Sequence, residues 1–272
     1  MNGQPKRVRA DELVVQQGLA ETRSRAKALI MAGVVRVGDR VIDKPGETLD
    51  PTTPLALQAR LPYVSRGGLK LQHALDTFGI DVDGVVAVDI GASTGGFTDC
   101  LLQRGAAKVY AIDVGYGQLD YRLRNDRRVV VMERVNAREP VSLPEPVGFA
   151  CIDVSFISLD LILPAVASLL TRDADVVALI KPQFEAGREH VGRGGVVRSP
   201  EARRSAVMRV VTNARRIGLG DAAVTTSPIT GPAGNVEYLA WLRFADSPAD
   251  ADAIVETLFA DELGRTSDTE EL

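Results

Sequence analysis

Apolar and polar positions along residues 65–245 follow two periods in turn, one typical of strands and the other of helices. Short runs rich in β-branched residues predict seven strands: Val85–Asp89, Lys108–Asp113, Val129–Met132, Gly148–Asp153, Asp175–Ile180, Ala222–Thr226 and Val236–Phe244. Helical patterns occur at Leu69–Phe78, Phe97–Arg104, Leu161–Leu170 and Glu201–Ile217. The alternation predicts an α/β fold with a Rossmann-like sheet that is wound on both faces.

The last two predicted strands are joined by the short segment 227–235, which shows no helical pattern. A parallel connection needs a crossover of about a dozen residues or more, so this short one favours an antiparallel pair. The sequence therefore predicts a seven-stranded sheet whose last strand is antiparallel. That strand would begin at the edge where the other strands end.

Residues 1–59 predict a separate, smaller α+β domain with two helices and a hairpin: Arg9–Leu19, Arg23–Met31, and strands Val34–Val37 and Arg40–Ile42 joined by Gly38-Asp39. Thr22 is a favourable N-cap for the second helix. Prolines follow, which places a linker at residues 60–64 and the large domain at residues 65–245.

Charge is unevenly distributed along the 272 residues, although the net charge is only −4. Residues 1–72 carry 12 Lys and Arg against 7 Asp and Glu, whereas the rest of the chain carries 20 against 29. The N-terminal part therefore permits a nucleic-acid partner. The tail, residues 246–272, carries nine acidic residues against Arg265 and predicts one amphipathic helix followed by disorder.

Composition argues against several classes of protein. No apolar run reaches the ~20 residues that span a bilayer, and the N-terminus lacks the apolar core of a signal peptide. Two cysteines and two histidines are too few for a disulfide framework or a zinc site. We therefore expect a cytoplasmic protein, monomeric, with no metal and no membrane partner.

The strand that ends at Asp89 runs into a glycine-rich loop, Gly91-Ala-Ser-Thr-Gly-Gly-Phe97, that leads into a helix. Glycines let a ligand approach the backbone, and the helix N-terminus favours an anion such as a carboxylate. The spacing differs from that of dinucleotide enzymes, and Asp89 stands where a pyrophosphate would lie. S-adenosylmethionine, which has a cationic part, suits this loop; a purely structural turn is the alternative. Asp113 ends the second strand, where such folds hold ribose hydroxyls, unless it only caps a helix.

Charged residues from distant parts of the sequence converge on one edge of the predicted sheet. Asp153 and Lys181 end the fourth and fifth strands, Glu237 begins the seventh, and Lys70 lies in the helix before the first. Such sheets bind ligands beyond the carboxyl ends of their strands. Two lysines and two acids in one cleft suggest a mutually neutralising network, whereas each alone would be an ordinary cap or surface charge.

This cluster suits methyl transfer to a ribose 2′-hydroxyl, which needs in-line approach and help in removing a weakly acidic proton. Lys181 would act either as the base or as a cation that orients the hydroxyl and stabilises the alkoxide. Asp153 and Glu237 would hold the two amines. Other methylations fit less well, because the Asp153-Val-Ser-Phe156 loop lacks an Asn/Asp-Pro-Pro motif and Cys151 lies inside a strand.

Residues 185–200, between the fifth strand and a helix, are rich in glycine and basic residues: Gly187, Arg188, Gly192, Arg193, Gly194, Gly195 and Arg198. The segment is either an ordinary loop or a substrate lid. Its place at the carboxyl edge of the sheet favours the lid.

Five segments together resemble the TlyA (hemolysin A) family: Asp89-Ile-Gly-Ala-Ser-Thr-Gly-Gly-Phe97, Asp113-Val-Gly-Tyr-Gly117, Asp153-Val-Ser-Phe-Ile-Ser158, Lys181-Pro-Gln-Phe-Glu185 and Gly231-Pro-Ala-Gly-Asn-Val-Glu237. Residues 22–39 follow the pattern of the S4-type RNA-binding domain. The resemblance covers residues 6–244 and implies an S4-type domain fused to an FtsJ/RrmJ-like, S-adenosylmethionine-dependent 2′-O-methyltransferase. It implies ribosomal RNA as the partner and cytidine in the small- or large-subunit RNA as the target.

The resemblance also implies roles for individual residues. The catalytic tetrad falls on Lys70, Asp153, Lys181 and Glu237. The cofactor would contact Asp89, Gly91, Ala92, Ser93, Thr94, Gly95, Gly96, Phe97, Asp113, Val114, Asn136 and Phe156, and RNA would contact Arg9, Arg23, Arg25, Lys27, Arg36 and Arg66. Two other functions stay open: an RNA-binding protein that has weak activity or acts on another RNA, and a membrane-active hemolysin, for which no large apolar face is visible.

Overall fold

A computed structural model of the chain describes residues 7–31, 33–38, 40–57, 61–246 and 250–267. These residues form two units that divide between Leu61 and Pro62. Three features of the sequence analysis lie outside the described residues: Asp39 of the predicted hairpin turn, Arg60 of the predicted linker, and residues 268–272 of the predicted disordered tail.

The N-terminal unit contains two helices and five short strands: β1 (Val8–Arg9), α1 (Ala10–Gln16), α2 (Arg23–Met31), β2 (Val35–Val37), β3 (Arg40–Val41), β4 (Thr48–Leu49) and β5 (Ala56–Leu57). The predicted pair of helices and the antiparallel β2–β3 pair are confirmed. Thr22 caps α2, since its Oγ1 accepts a hydrogen bond from Arg25 N at 3.2 Å. The prediction that α1 begins at Arg9 was wrong, because Arg9 pairs in β1 with Thr48 of β4.

The second unit contains a sheet flanked by helices: α3 (Gly67–Phe78), β6 (Val86–Ile90), α4 (Gly96–Gln103), β7 (Lys108–Asp113), α5 (Tyr121–Arg124), β8 (Val129–Glu133), β9 (Val147–Ile152), α6 (Leu163–Ala167), β10 (Leu170–Ile180), α7 (Pro182–Glu185), α8 (Pro200–Arg216), β11 (Asp221–Thr226), β12 (Tyr238–Arg243) and α9 (Ala251–Ser267). The seven strands follow the order β11-β12-β10-β9-β6-β7-β8. Strand β12 is antiparallel to both neighbours, and the pairs among β6 to β10 are parallel. The predicted α/β sheet with an antiparallel last strand is confirmed.

Helices cover both faces of the sheet. On one face, Val88 and Ile90 of β6 belong to the same buried cluster as Val207 of α8 and Val255 of α9. On the other face, Ala87 of β6 packs in a cluster with α3 and α4. The alternation along β6 thus buries both faces of the strand, as expected for the centre of a doubly wound sheet.

The region before β10 differs from the prediction. A helix was expected over Leu161–Leu170, but α6 is shorter and Leu170 already begins β10. Leu170 pairs with Val147 of β9, and a register shift separates this pair from the next one at Asp175. The apolar spacing of this segment suits either structure, and the pairing with β9 is a non-local contact that periodicity does not report.

The register of β10 and β12 brings two charged residues to one edge of the sheet. Ile180, the last residue of β10, pairs with Tyr238, the first residue of β12. Lys181 follows Ile180 and Glu237 precedes Tyr238, so both lie beyond the same pair. Because β9 runs parallel to β10, Asp153 reaches this edge as well.

Candidate active site

The four residues of the predicted tetrad form two separate lysine–carboxylate pairs. Lys70 Nζ donates a hydrogen bond to Glu237 Oε2. Lys181 Nζ lies 2.6 Å from Asp153 Oδ1. The Lys181 ammonium also donates to Ser155 Oγ at 2.8 Å, a partner that the sequence analysis did not select.

The Lys70–Glu237 pair is buried. Lys70 is 7% exposed and Glu237 is 1% exposed, so each charge depends on its partner for compensation. The segment before β12 covers the carboxylate closely, since a Cβ added at Gly231 would lie 2.4 Å from Glu237 Oε1. A larger residue at position 231 would therefore displace the Glu237 side chain.

A cavity of about 520 Å³ joins the two pairs. Its lining includes all four tetrad residues, Asp89 from the end of β6, and much of the predicted loop: Gly91, Ala92, Ser93, Thr94, Gly96 and Phe97. Arg66, predicted to contact RNA, also lines it and donates from Nη2 to the Thr230 carbonyl at 3.4 Å. The four charged residues that were predicted to converge at one edge of the sheet thus line one cavity.

One carboxylate oxygen of Asp89 accepts hydrogen bonds, and the other accepts none from the residues described. Its Oδ2 accepts from Thr98 N at 2.9 Å and from Thr98 Oγ1 at 2.6 Å, which ties β6 to the first turns of α4. Its Oδ1 is buried and has no hydrogen-bond partner among the residues described. Burial raises the pKa of Asp89 to about 7, against the opposing effect of the Thr98 hydrogen bonds.

A second cavity of about 550 Å³ lies beside the first and shares Gly91, Ser93, Asp153 and Ser155 with it. It is lined by the predicted residues Asp113, Val114, Asn136 and Phe156. Asp113 already holds the loop, since its Oδ2 accepts from Ser93 N at 2.7 Å and its Oδ1 from Gly115 N at 2.6 Å. A carboxylate has further lone pairs, so Asp113 retains capacity for ribose hydroxyls.

Backbone strain is concentrated around the second cavity. Among the described residues other than glycine, positive φ occurs at Ser93, Arg134 and Phe156. Ser93 and Phe156 line this cavity, and Arg134 directly precedes Val135, which also lines it. Such strain persists where the surroundings impose it, commonly at functional sites.

Phe156 lies at the rim rather than inside the pocket. Its side chain is 89% exposed, and its ring centroid is 5.2 Å from that of Phe184 in α7. Phe156 still lines the second cavity, so the expected contact of this ring with the cofactor stays a prediction.

Two glycines of the loop are required by close packing. A Cβ at Gly91 would lie 2.5 Å from the Asp153 carbonyl oxygen, and a Cβ at Gly96 would lie 2.3 Å from Ser65 Oγ. Gly95 differs from the other predicted cofactor contacts, because it lines neither cavity. Its backbone packs on the side chains of Leu119 and Leu123 instead.

In the N-terminal unit, the predicted RNA contacts fall into three groups. Arg9 and Arg23 both pair at 3.0 Å with Asp11, which is fully buried. Burial would raise the pKa of Asp11, but the hydrogen bonds from both guanidinium groups outweigh it and lower the pKa to about 2. Arg25 and Lys27 are exposed on α2. Arg36 lies half-buried on β2.

Both cavities suit S-adenosylmethionine. A buried carboxylate with an unused oxygen, Asp89, lies where a cationic group would be stabilised. Asp113 and the polar residues around the second cavity suit a ribose and a base. The residues present therefore fit the proposed ligand.

Two families match the sequence, each over one part of the chain. Residues 63–244 match the FtsJ-like methyltransferase family, and residues 8–53 match the S4 domain. The sheet order and the glycine-rich loop after β6 agree with this assignment. The fold and the site thus define an S-adenosylmethionine-dependent methyltransferase that carries an S4 domain.

Named relatives are similar to the chain over most of its length. The Mycobacterium tuberculosis 16S/23S rRNA (cytidine-2′-O)-methyltransferase TlyA is 48% identical over 242 residues, which cover 88% of this chain and 90% of that protein. The chain therefore belongs to the TlyA (hemolysin A) family. Hemolysin A of Brachyspira hyodysenteriae is 42% identical and covers 86% of this chain and 98% of that protein. A solved structure from Streptococcus thermophilus with a provisional hemolysin name is 46% identical, with a TM-score of 0.73, 99% of this chain covered and 100% of that one.

The hemolysin names of two relatives make the membrane question relevant. Within the described ranges, no helix is both long enough and apolar enough to cross a bilayer. The same residues contain no group of three or more His, Cys, Asp and Glu side chains arranged to hold a metal ion.

Proposed function

We propose that the protein transfers a methyl group from S-adenosylmethionine to the 2′-hydroxyl of a cytidine in ribosomal RNA. The observation that carries this proposal is the pairing of Lys181 with Asp153 and of Lys70 with Glu237 along one cavity. The name of the 48% identical M. tuberculosis relative supports RNA of the small and large ribosomal subunits as substrates. The S4 match supports an RNA partner.

The ligand would lie along the shared wall of the two cavities. S-adenosylmethionine supplies, when bound, a methyl group made electrophilic by the sulfonium. Asp89 would stabilise the cationic part of this ligand, and Asp113 and Asn136 would hold its adenosine part. The backbone of the loop that begins at Gly91 provides close approach without a Cβ.

Lys181 would act on the substrate hydroxyl. The ammonium donates one hydrogen bond to Ser155 and is neutralised by the nearby Asp153 carboxylate, so it retains donor capacity for the 2′-oxygen. The cation then orients this oxygen and stabilises the negative charge that develops as the oxygen attacks. Asp153, which is paired with Lys181, would accept the hydroxyl proton. Glu237 holds Lys70 as a second fixed cation in the same cavity.

RNA capture would begin at the N-terminal unit. Arg25 and Lys27 offer exposed cations to phosphates, while Arg9 is paired with Asp11 and Arg23 with both Asp11 and Glu12. Since ribosomal subunits are cytoplasmic, we also propose a cytoplasmic location.

Transfer of a labelled methyl group to isolated small and large ribosomal subunits tests this function. The modified nucleotide is then mapped in the RNA. We expect label on the 2′-oxygen of a cytidine. Label on a base, or no label in either subunit, would overturn the proposal.

A further inference from the structure

The segment 187–198, which we name the arginine-rich arch, connects α7 to α8. It contains two short 3₁₀ turns, Arg188–His190 and Arg193–Gly195. Three of its glycines have positive φ, so the backbone follows a path that residues with a Cβ rarely adopt. The arch therefore has a defined conformation set by its sequence.

The first end of the arch is anchored next to Lys181. Helix α7 follows Lys181 directly and ends at Glu185, which is 3% exposed. The Glu185 carboxylate accepts hydrogen bonds from Ser158 Oγ at 2.7 Å and from Leu159 N at 2.8 Å. These bonds fix α7 to the segment that follows β9.

The second end of the arch is anchored next to Glu237. Asn235, two positions before Glu237, is 1% exposed. Its Oδ1 accepts from Val197 N at 2.9 Å, and its Nδ2 donates to the Gly195 carbonyl at 2.8 Å. One buried amide thus joins the arch to the segment that leads into β12. The two ends of the arch are therefore anchored close in sequence to Lys181 and Glu237, which line the active-site cavity.

Three exposed arginines lie on the arch: Arg188, Arg193 and Arg198. None of them forms an ion pair or a side-chain hydrogen bond with the part of the chain that the structure describes. In contrast, Arg204 and Arg209 of the adjacent α8 are paired with Glu256 and Asp160. Guanidinium groups without internal partners, spaced along a glycine-rich backbone, suit the phosphates of one RNA strand.

We propose that the arginine-rich arch binds phosphates of the substrate RNA beside the target nucleotide and so presents its ribose to Lys181. This inference rests on the proposed function. It assigns RNA binding to the methyltransferase unit in addition to the N-terminal unit. The anchors at Glu185 and Asn235 hold the arch in place, and the arch binds the RNA strand close to the reaction site.

The test compares two triple variants with equal loss of charge. The arch variant is Arg188→Gln/Arg193→Gln/Arg198→Gln. The control is Arg172→Gln/Arg215→Gln/Arg216→Gln, whose residues lie near the start of β10 and in the last turn of α8. Helix α8 has 17 residues and begins beside the arch, so its last turn is about 25 Å away along the axis.

Affinity for isolated ribosomal subunits is measured for each variant over a series of salt concentrations. We expect the arch variant to bind about tenfold more weakly than the wild type, with a salt slope shallower by about 2, because each phosphate contact on a single strand contributes about 0.7. The control variant should stay near the wild type, and S-adenosylmethionine affinity should be unchanged in both.

Three outcomes would overturn the inference: an unchanged affinity of the arch variant, an unchanged salt slope, or an equal loss in both triple variants, which would reflect net charge alone. Methyl transfer by the wild type is recorded in parallel. If the wild type binds subunits without transferring methyl, the proposed function fails, and the binding comparison still decides the role of the arch.

Discussion

Ser155 accepts a hydrogen bond from the Lys181 ammonium, with 2.8 Å between Oγ and Nζ. Together with the ion pair to Asp153, this hydrogen bond holds the Lys181 ammonium in place. Ser155 lies in both cavities, at the junction between the proposed ligand and the proposed substrate. We therefore interpret it as a positioning residue that acts through Lys181.

Ser155→Ala is expected to lower kcat for methyl transfer about tenfold and to leave the KM for S-adenosylmethionine near the wild-type value, because Lys181 loses one of its two fixed partners. Ser155→Thr keeps the hydroxyl and should recover most of the rate. Ser168→Ala, which removes an exposed hydroxyl at the end of α6, is the control. A threonine variant as slow as the alanine variant would argue against positioning by the hydroxyl.

Variants of the buried Lys70–Glu237 pair distinguish a catalytic role of the pair from a structural one. Glu237→Leu leaves Lys70 as an uncompensated buried cation, which is expected to lower the free energy of unfolding by about 3–5 kcal/mol. Adding Lys70→Met removes that charge and should restore most of the stability, while methyl transfer stays lost. Urea denaturation and transfer assays measure the two effects.

The half-buried pair Lys108–Glu145, which solvent still reaches, is the control for this comparison. Lys108→Met should change the free energy of unfolding by less than about 1 kcal/mol, because solvent screens the pair. If the double variant at positions 70 and 237 were active, the pair would be structural only.

Asp89 makes stability depend on pH in a particular direction. Burial raises its pKa from 3.8 to about 7, so between these values the folded state holds a proton that the unfolded state has released. The free energy of unfolding contributed by this group therefore falls as pH rises through that window and is constant above it. Asp89→Asn removes the effect, and urea denaturation from about pH 5 to pH 8 should show a smaller decline for that variant. Parallel curves for the two proteins would contradict this pKa.

Substitution of the basic residues of α2 should affect RNA binding without affecting folding. Arg25→Gln/Lys27→Gln is expected to weaken binding to ribosomal subunits and to reduce the salt slope by about 1.4. Stability should not change, because both side chains are exposed. An unchanged salt slope would mean that these side chains do not contact phosphates.

Arg23→Gln should lower stability as well, since it leaves the buried Asp11 carboxylate with Arg9 as its remaining guanidinium partner. Asp11 has a pKa of about 2 in the folded state, so its stabilisation is present above pH 3.8 and is lost as pH falls toward 2. The difference in melting temperature between wild type and Arg23→Gln should therefore shrink in acid. A constant difference would assign the loss to something other than this pair.

The antiparallel last strand and the placement of Lys181 and Glu237 at one edge of the sheet follow from local features of the sequence. The short connection 227–235 favours an antiparallel last strand, and this places Glu237 at the edge where β10 ends. Both steps depend on the length of the segment 227–235, which is read directly from the sequence, and on the strand direction that follows from it.

The partners of these residues do not follow in the same way. Lys70 pairs with Glu237, and Lys181 pairs with Asp153. This choice of partners depends on the directions of side chains from four separate parts of the fold. Ser155 and Asn235 belong to segments quoted for the family resemblance, yet nothing in their spacing reports which atoms they bind. Asp11 is similar, because the count of charges does not reveal that one carboxylate is buried beneath two arginines.

Single-turnover methyl transfer by Lys181→Ala measures whether Lys181 acts on the substrate hydroxyl. Labelled S-adenosylmethionine and isolated ribosomal subunits are the substrates, binding of S-adenosylmethionine is measured separately, and Lys108→Ala is the lysine control. We expect the rate of Lys181→Ala to fall by about 10³-fold or more, with wild-type affinity for S-adenosylmethionine. Turnover by Lys181→Ala at a rate close to that of the wild type would show that Lys181 does not act on the hydroxyl.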